Sequence, residues 1–207
     1  MKAAGRTKEK AATGQGSKRQ KPDSSGAKSN VKTCAFIALG ANLGDRQRTM
    51  IEAMTHLQRI SAEPLLRSSF WQTAPVDCPP GSPPFLNAVV AVAPSHEETP
   101  QSLFAKLQAL EKTFGRTPKT ILNEPRPLDL DLIAFGNETR AGNVLTLPHP
   151  RAHLRRFVLQ PLSEIAPDFL LPGQSKTVSE LLRALPPDES MRKLADAKQS
   201  KSIRFIL

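Results

Sequence analysis

Apolar residues along this chain follow two periods, and the change from one to the other marks out the elements. Leu128, Leu130 and Leu132 alternate with Asp129 and Asp131 ahead of Ile133-Ala134-Phe135. A period of two is that of a strand, with the leucines on one face and both aspartates on the other. Cys34 to Leu39 and Phe85 to Val92 are short apolar runs and read as buried strands. Arg67 to Gln72 reads as a further strand. Met50, Met54, Leu57 and Ile60 recur at helical spacing, and Asp45 stands where a cap is needed. Thr99-Pro100 opens a second helix with Pro at its first position. Leu103, Leu107, Leu110 and Phe114 give that helix its apolar face, and Gly115 ends it. Thr73 to Pro84, with five prolines, is a long loop without regular structure. Arg116 to Asn123 is a polar loop.

The resulting order is βαββαβ, an α+β ferredoxin-like sandwich with helices on one side of the sheet. Additional C-terminal elements follow it. Val144 to Leu147 is extended, and Phe157 to Ile165 and Thr177 to Leu185 read as helices.

Charge divides the chain. The net charge is +10 over 207 residues. Residues 1–32 hold nine Lys/Arg against Glu9 and Asp23, with almost no large apolar side chain. Such a segment cannot bury enough surface to offset its ordering entropy. The expected organisation is a disordered basic extension over 1–31, a folded domain over 32–187 and a C-terminal tail over 188–207. No aromatic residue interleaves the basic charges, so nucleic-acid binding is not expected of the extension. There is no apolar run long enough to span a membrane and no apolar core of a signal peptide. Cys34 and Cys78 form no CxxC unit, which argues against a disulfide framework or a Cys-ligated zinc site and fits the cytoplasm. A monomer is expected.

Several chemistries lack their motifs. Neither GxGxxG nor GxxxxGK[ST] occurs, and no GxSxG elbow is present. His149 and His153 stand four apart, but Pro150 follows the first, which opposes a zinc-binding helix. Asp129 and Asp131 repel one another unless a cation lies between them. Mg²⁺ is bound by such pairs together with substrate phosphates. Arg126 precedes the pair with a fork suited to phosphate oxygens. His149, Arg151, Arg155 and Arg156 read as a second phosphate-facing cluster or as a solvated basic turn. Phe85 and Phe157 read as core from pattern alone. Asn87, inside an apolar strand, needs hydrogen-bond partners. A nucleic-acid-binding sheet and another Mg²⁺-dependent phosphoryl-transfer enzyme are the alternative classes.

In combination, these residues resemble a known family. Phe36 to Gly44, Thr73 with Pro75, Phe85-Leu86-Asn87, Gln108 with Glu111, and Gly115-Arg116 occur in the order seen in 6-hydroxymethyl-7,8-dihydropterin pyrophosphokinase. Pro125 to Asp131 and Leu147-Pro148-His149 complete that order. The resemblance covers about Thr33 to Pro172. It implies a folate-pathway enzyme that transfers pyrophosphate from ATP to the pterin hydroxymethyl group and releases AMP. Asp129 and Asp131 match the pair that holds two Mg²⁺ ions. Arg116, Arg126, His149 and Arg155 match phosphate contacts, and Gln108, Glu111 and Thr146 match nucleotide-side positions. Thr73, Val76 and Asn87 match the pterin pocket, and Phe85 and Phe157 match the aromatics that sandwich the ring. Where many members carry a second loop arginine, this chain has Pro118. Lys119 is its nearest replacement cation.

Overall fold

The computed structural model describes residues 33–116 and 124–194. Its elements are β1 (Ala35–Ala41), α1 (Arg46–Ile60), β2 (Leu66–Arg67), β3 (Trp71–Thr73), β4 (Phe85–Val92) and α2 (Pro100–Thr113). They are followed by β5 (Asp129–Phe135), α3 (Arg156–Ile165), α4 (Val178–Ala184) and β6 (Arg192–Lys193). The sheet runs β5-β1-β4-β3-β6, with β2 also on β4, and its pairings are antiparallel.

Helices cover both faces. Ile37, Leu39, Leu130 and Leu132 pack with Met50, Leu57, Leu103 and Leu107 of α1 and α2. Phe36, Val89 and Ile133 pack on the opposite face with Val158, Leu159, Leu162 and Val178 of α3 and α4. Central strands β1 and β4 are thus apolar apart from Asn87 because neither face meets water. The expected single-sided arrangement holds for α1 and α2 only. The C-terminal helices form a second layer.

Local chemistry fixes the helix ends. Asp45 accepts the Arg48 N–H at 3.1 Å, and Thr99 with Ser102 forms a reciprocal capping box. Caps of this kind stabilise a helix by about 1 kcal/mol. A second box, Thr177 with Glu180, starts α4.

Two expectations need correction. The strand expected over Arg67–Gln72 is split into β2 and β3. The Ser68 hydroxyl accepts the Val89 N–H at 2.9 Å, and Ser69 donates its N–H to Glu164 at 2.7 Å. These bonds satisfy the backbone where the ladder is interrupted, and the register on β4 then moves by one residue. The folded unit also continues past 187, because β6 pairs with β3 and Leu194 donates its N–H to the Phe70 carbonyl at 2.9 Å. The expected extension over 1–31, Lys119 with Pro118, and the last residues of the expected tail lie outside the described residues.

Candidate active site

Register builds the site. Gly40 of β1 stands opposite Asp129 on β5 and Asn87 on β4, and Asn87 stands opposite Trp71 on β3. One row across the sheet therefore joins the first aspartate to the amide. Two rows on, on the same face, Asp131 stands opposite Ala38. A Cβ at Gly40 would lie 3.5 Å from Asn87 Oδ1, 3.8 Å from Asp129 Cβ and 3.8 Å from Phe85 Cδ1. Glycine keeps the floor between these three side chains open.

Each aspartate meets two basic groups. Asp129 Oδ1 pairs with Arg116 Nη1 at 2.8 Å and its Oδ2 with Arg126 Nη1 at 3.1 Å. Asp131 Oδ2 lies 3.8 Å from Arg155 Nη1 and 4.0 Å from His149 Nε2. The side chains remain open to ligand, at 24% exposed for Asp129 and 38% for Asp131. Burial pushes the Asp131 carboxyl up and the charge of Asp129 adds to this, against His149, Arg155 and Arg116. Burial pushes His149 down, with Arg155 and Arg151 reinforcing it against Asp131. His149 Nδ1 accepts the Arg151 N–H at 3.2 Å, so in the neutral ring Nε2 carries the proton.

Glu111 is buried on α2, and Gln108, one turn earlier, is exposed. A single Glu111 oxygen accepts the Leu130 N–H at 2.8 Å and pairs with Arg116. Leu130 separates the two aspartates, and β5 is an edge strand, so this carboxylate occupies a ladder position that no strand fills. Burial pushes the Glu111 pKa up to about 7, outweighing the Leu130 N–H and Arg116. Arg116 thus bridges Glu111 and Asp129.

The residues matched to the pterin side lie along β3, β4 and α3. Asn87 donates to the Thr73 hydroxyl at 2.8 Å, and both are buried. Phe85 starts β4, half-buried. Phe157 packs against the α3 core while the Arg155 guanidinium lies 5.4 Å from its ring centroid. Val76 is 56% exposed on the Pro-rich loop. Thr146 is exposed and donates to the Gly142 carbonyl. The basic cluster divides: Arg156 donates to the carbonyls of Leu182, Leu185 and Pro186 and caps the end of α4, while Arg155 faces Asp131. The periodicity that identified the strands could not reveal Gly40, because its importance comes from its cross-strand neighbours.

Arginines arranged around paired carboxylates on an antiparallel α/β scaffold belong to the chemistry of phosphoryl-transfer enzymes. The chain is a member of the 7,8-dihydro-6-hydroxymethylpterin-pyrophosphokinase (HPPK) family, which matches residues 36–167. It is 37% identical over 161 residues to the 2-amino-4-hydroxy-6-hydroxymethyldihydropteridine pyrophosphokinase of Haemophilus influenzae, covering 77% of this chain and 97% of that one. The enzyme of the same name from Porphyromonas gingivalis is 38% identical over 136 residues, covering 64% of this chain and 90% of its own. Among solved structures, an HPPK-DHPS in complex with substrates matches with a TM-score of 0.60 at 12% identity, over 78% of this chain. The wild-type Plasmodium falciparum HPPK-DHPS with pteroate also gives 0.60 at 12% identity, over 78% of this chain. The chain spans about half the length of those two, 46% and 47%, and the likeness concerns the fold.

Proposed function

We propose that the Asp129–Asp131 face transfers the pyrophosphoryl group of ATP to 6-hydroxymethyl-7,8-dihydropterin, the folate-biosynthetic reaction of the family to which this chain belongs. One observation carries the assignment: two aspartates lie on one strand face, each met by two basic side chains, and the first of them, Asp129, shares a row with Gly40 and Asn87.

The donor set fits a hard divalent cation. Same-face neighbours on a strand stand roughly 7 Å apart. Both carboxylates are partly open, both offer oxygen, and Asp131 already resists ionisation beside Asp129. Asp129 and Asp131 would hold two Mg²⁺ ions, which when bound neutralise triphosphate charge and acidify the pterin hydroxyl.

The chain's own residues do the rest. The hydroxyl oxygen forms a bond to the β-phosphorus as the bond to the bridging oxygen breaks; that oxygen departs with AMP, and the hydroxyl proton passes to water. Arg116, Arg126 and Arg155 hold the phosphate oxygens in line with this attack. His149 presents Nε2–H to the same charge. Glu111 serves the nucleotide side by holding Arg116, and Gln108 and Thr146 are assigned to the same substrate; Lys119 is assigned to it from the sequence alone. Thr73 and Asn87 offer hydrogen bonds to the pterin edge, Val76 covers it, and Phe85 and Phe157 stack on its faces.

The order β5-β1-β4-β3 with α1 and α2 on one face supports reading the unit as ferredoxin-like. No helix among the described residues is long and apolar enough to cross a membrane. A monomer acting in the cytoplasm, with the segment over 1–31 outside the catalytic unit, completes the proposal. Incubation with ATP, Mg²⁺ and the hydroxymethyl pterin tests it. AMP and the pterin pyrophosphate are the expected products; formation of ADP would overturn it.

A further inference from the structure

Asn42 follows β1 directly and is only 2% exposed, yet the chemistry above does not use it. Its backbone N–H donates to the Arg126 carbonyl at 3.2 Å, and its Oδ1 accepts the Arg126 N–H at 2.7 Å. Its Nδ2 donates to the Pro83 carbonyl at a longer 3.4 Å. After the turn at Gly44, whose φ of +63° favours glycine, Arg46 Nη1 donates to the Pro84 carbonyl at 2.7 Å. Pro83 and Pro84 lack N–H groups, so their carbonyls are the main-chain handles by which the end of this loop is held. The next residue is Phe85.

We propose that Asn42, assisted by Arg46, is a positioning residue that ties phosphate-side Arg126 to pterin-side Phe85 and so sets the two substrate subsites relative to each other. The inference rests on the site reading above, in which Arg126 meets phosphate and Phe85 meets the pterin. The physical need is strict. Reacting atoms must approach to about 3–3.5 Å, and a displacement of about 1 Å costs roughly a hundredfold in rate. Arg126 follows a loop and Phe85 ends one. Among the described residues, the sheet is the other connection between the two. A buried amide with both donor and acceptor connects Arg126 to Pro83, two residues before Phe85, and its loss leaves the Arg126 N–H buried without its acceptor.

Three variants of the full-length protein separate the two links. Asn42→Asp keeps an oxygen for the Arg126 N–H and loses the donor to Pro83. Arg46→Ala removes the bond to Pro84. Both are expected to raise the pterin KM, and the pterin Kd measured by calorimetry, about fivefold, with the ATP KM within twofold of wild type. Asn42→Ala, which loses both side-chain links, should raise both KM values and lower kcat at least tenfold. The proposal is overturned if Asn42→Asp raises the ATP KM as much as the pterin KM. It is equally overturned if the variants lower only Tm. Should Asn42→Ala fail to fold, the other two still decide. A wild-type protein that forms no AMP refutes the underlying reading. A wild-type protein that forms AMP, with no such split among the variants, refutes this inference alone.

Discussion

Asp131 keeps its proton more readily than an ordinary aspartate because it is partly desolvated and stands beside Asp129. Replacing either carboxylate by an amide removes charge with almost no change of shape. Asp129→Asn and Asp131→Asn are expected to lower kcat by a factor on the order of 10³ while the protein remains folded. Steady-state assays at limiting Mg²⁺, with circular dichroism for the fold, check this; full activity in either variant would contradict the assigned role. Glu111 supports a prediction on stability. Its ordinary pKa of 4.5 is raised to about 7 by burial. Between these values the folded chain holds a proton that the unfolded chain has lost. This group's contribution is therefore greatest below pH 4.5 and falls as pH rises to 7. In metal-free, ligand-free protein, Glu111→Gln should flatten the decline of Tm between pH 5 and pH 7. An unchanged slope would show that the carboxyl ionises normally.

At the scale of elements, α3 has two duties. Val158, Leu159 and Leu162 seal the second face of the sheet, and its start carries Phe157 beside Arg155. Phe157 packs against the core yet remains half-exposed, so part of its ring is available to a ligand. Aromatic stacking is worth about 0.5–1.5 kcal/mol beyond burial, which corresponds to roughly a twofold to tenfold effect on affinity. Phe157→Ala should weaken pterin binding by about tenfold, with nucleotide affinity nearly unchanged. Calorimetry with each ligand separately distinguishes this from a loss of packing alone, which would lower Tm and spare both affinities. The edge strand β5 shows a related economy. Its Leu face completes one core while Glu111 of α2 accepts the N–H of Leu130, so the helix that covers the strand also fixes it.

For the whole molecule, charge and catalysis separate along the chain. The nine basic residues within 1–32 account for most of the +10 net charge, whereas the site draws its cations from Arg116, Arg126 and Arg155, with His149 beside them. Removing residues 1–31 is expected to leave kcat within twofold at physiological salt, as measured on truncated and full-length proteins side by side. A large fall would place the extension in the catalytic cycle. The central strands and the principal helices were legible in the sequence because each satisfies a local rule. Apolar runs made β1 and β4, alternation made β5, and capping residues marked α1 and α2. The break between β2 and β3 was not legible. It depends on Ser68 reaching Val89 and on Glu164 reaching Ser69, contacts between residues distant in the chain.

The sequence by itself determined that Asp129 and Asp131 share a face, because strand periodicity is a property of the backbone. It also determined the family, because the motif order is specific in combination. Tertiary structure decided what those residues face. Register placed Gly40 between Asp129 and Asn87. Folding of the later helices directed Arg155 toward Asp131 and Arg156 toward the end of α4. Two adjacent arginines look alike in a sequence. Neighbouring side chains diverge around a helix, and only the packed elements fix which one reaches the site.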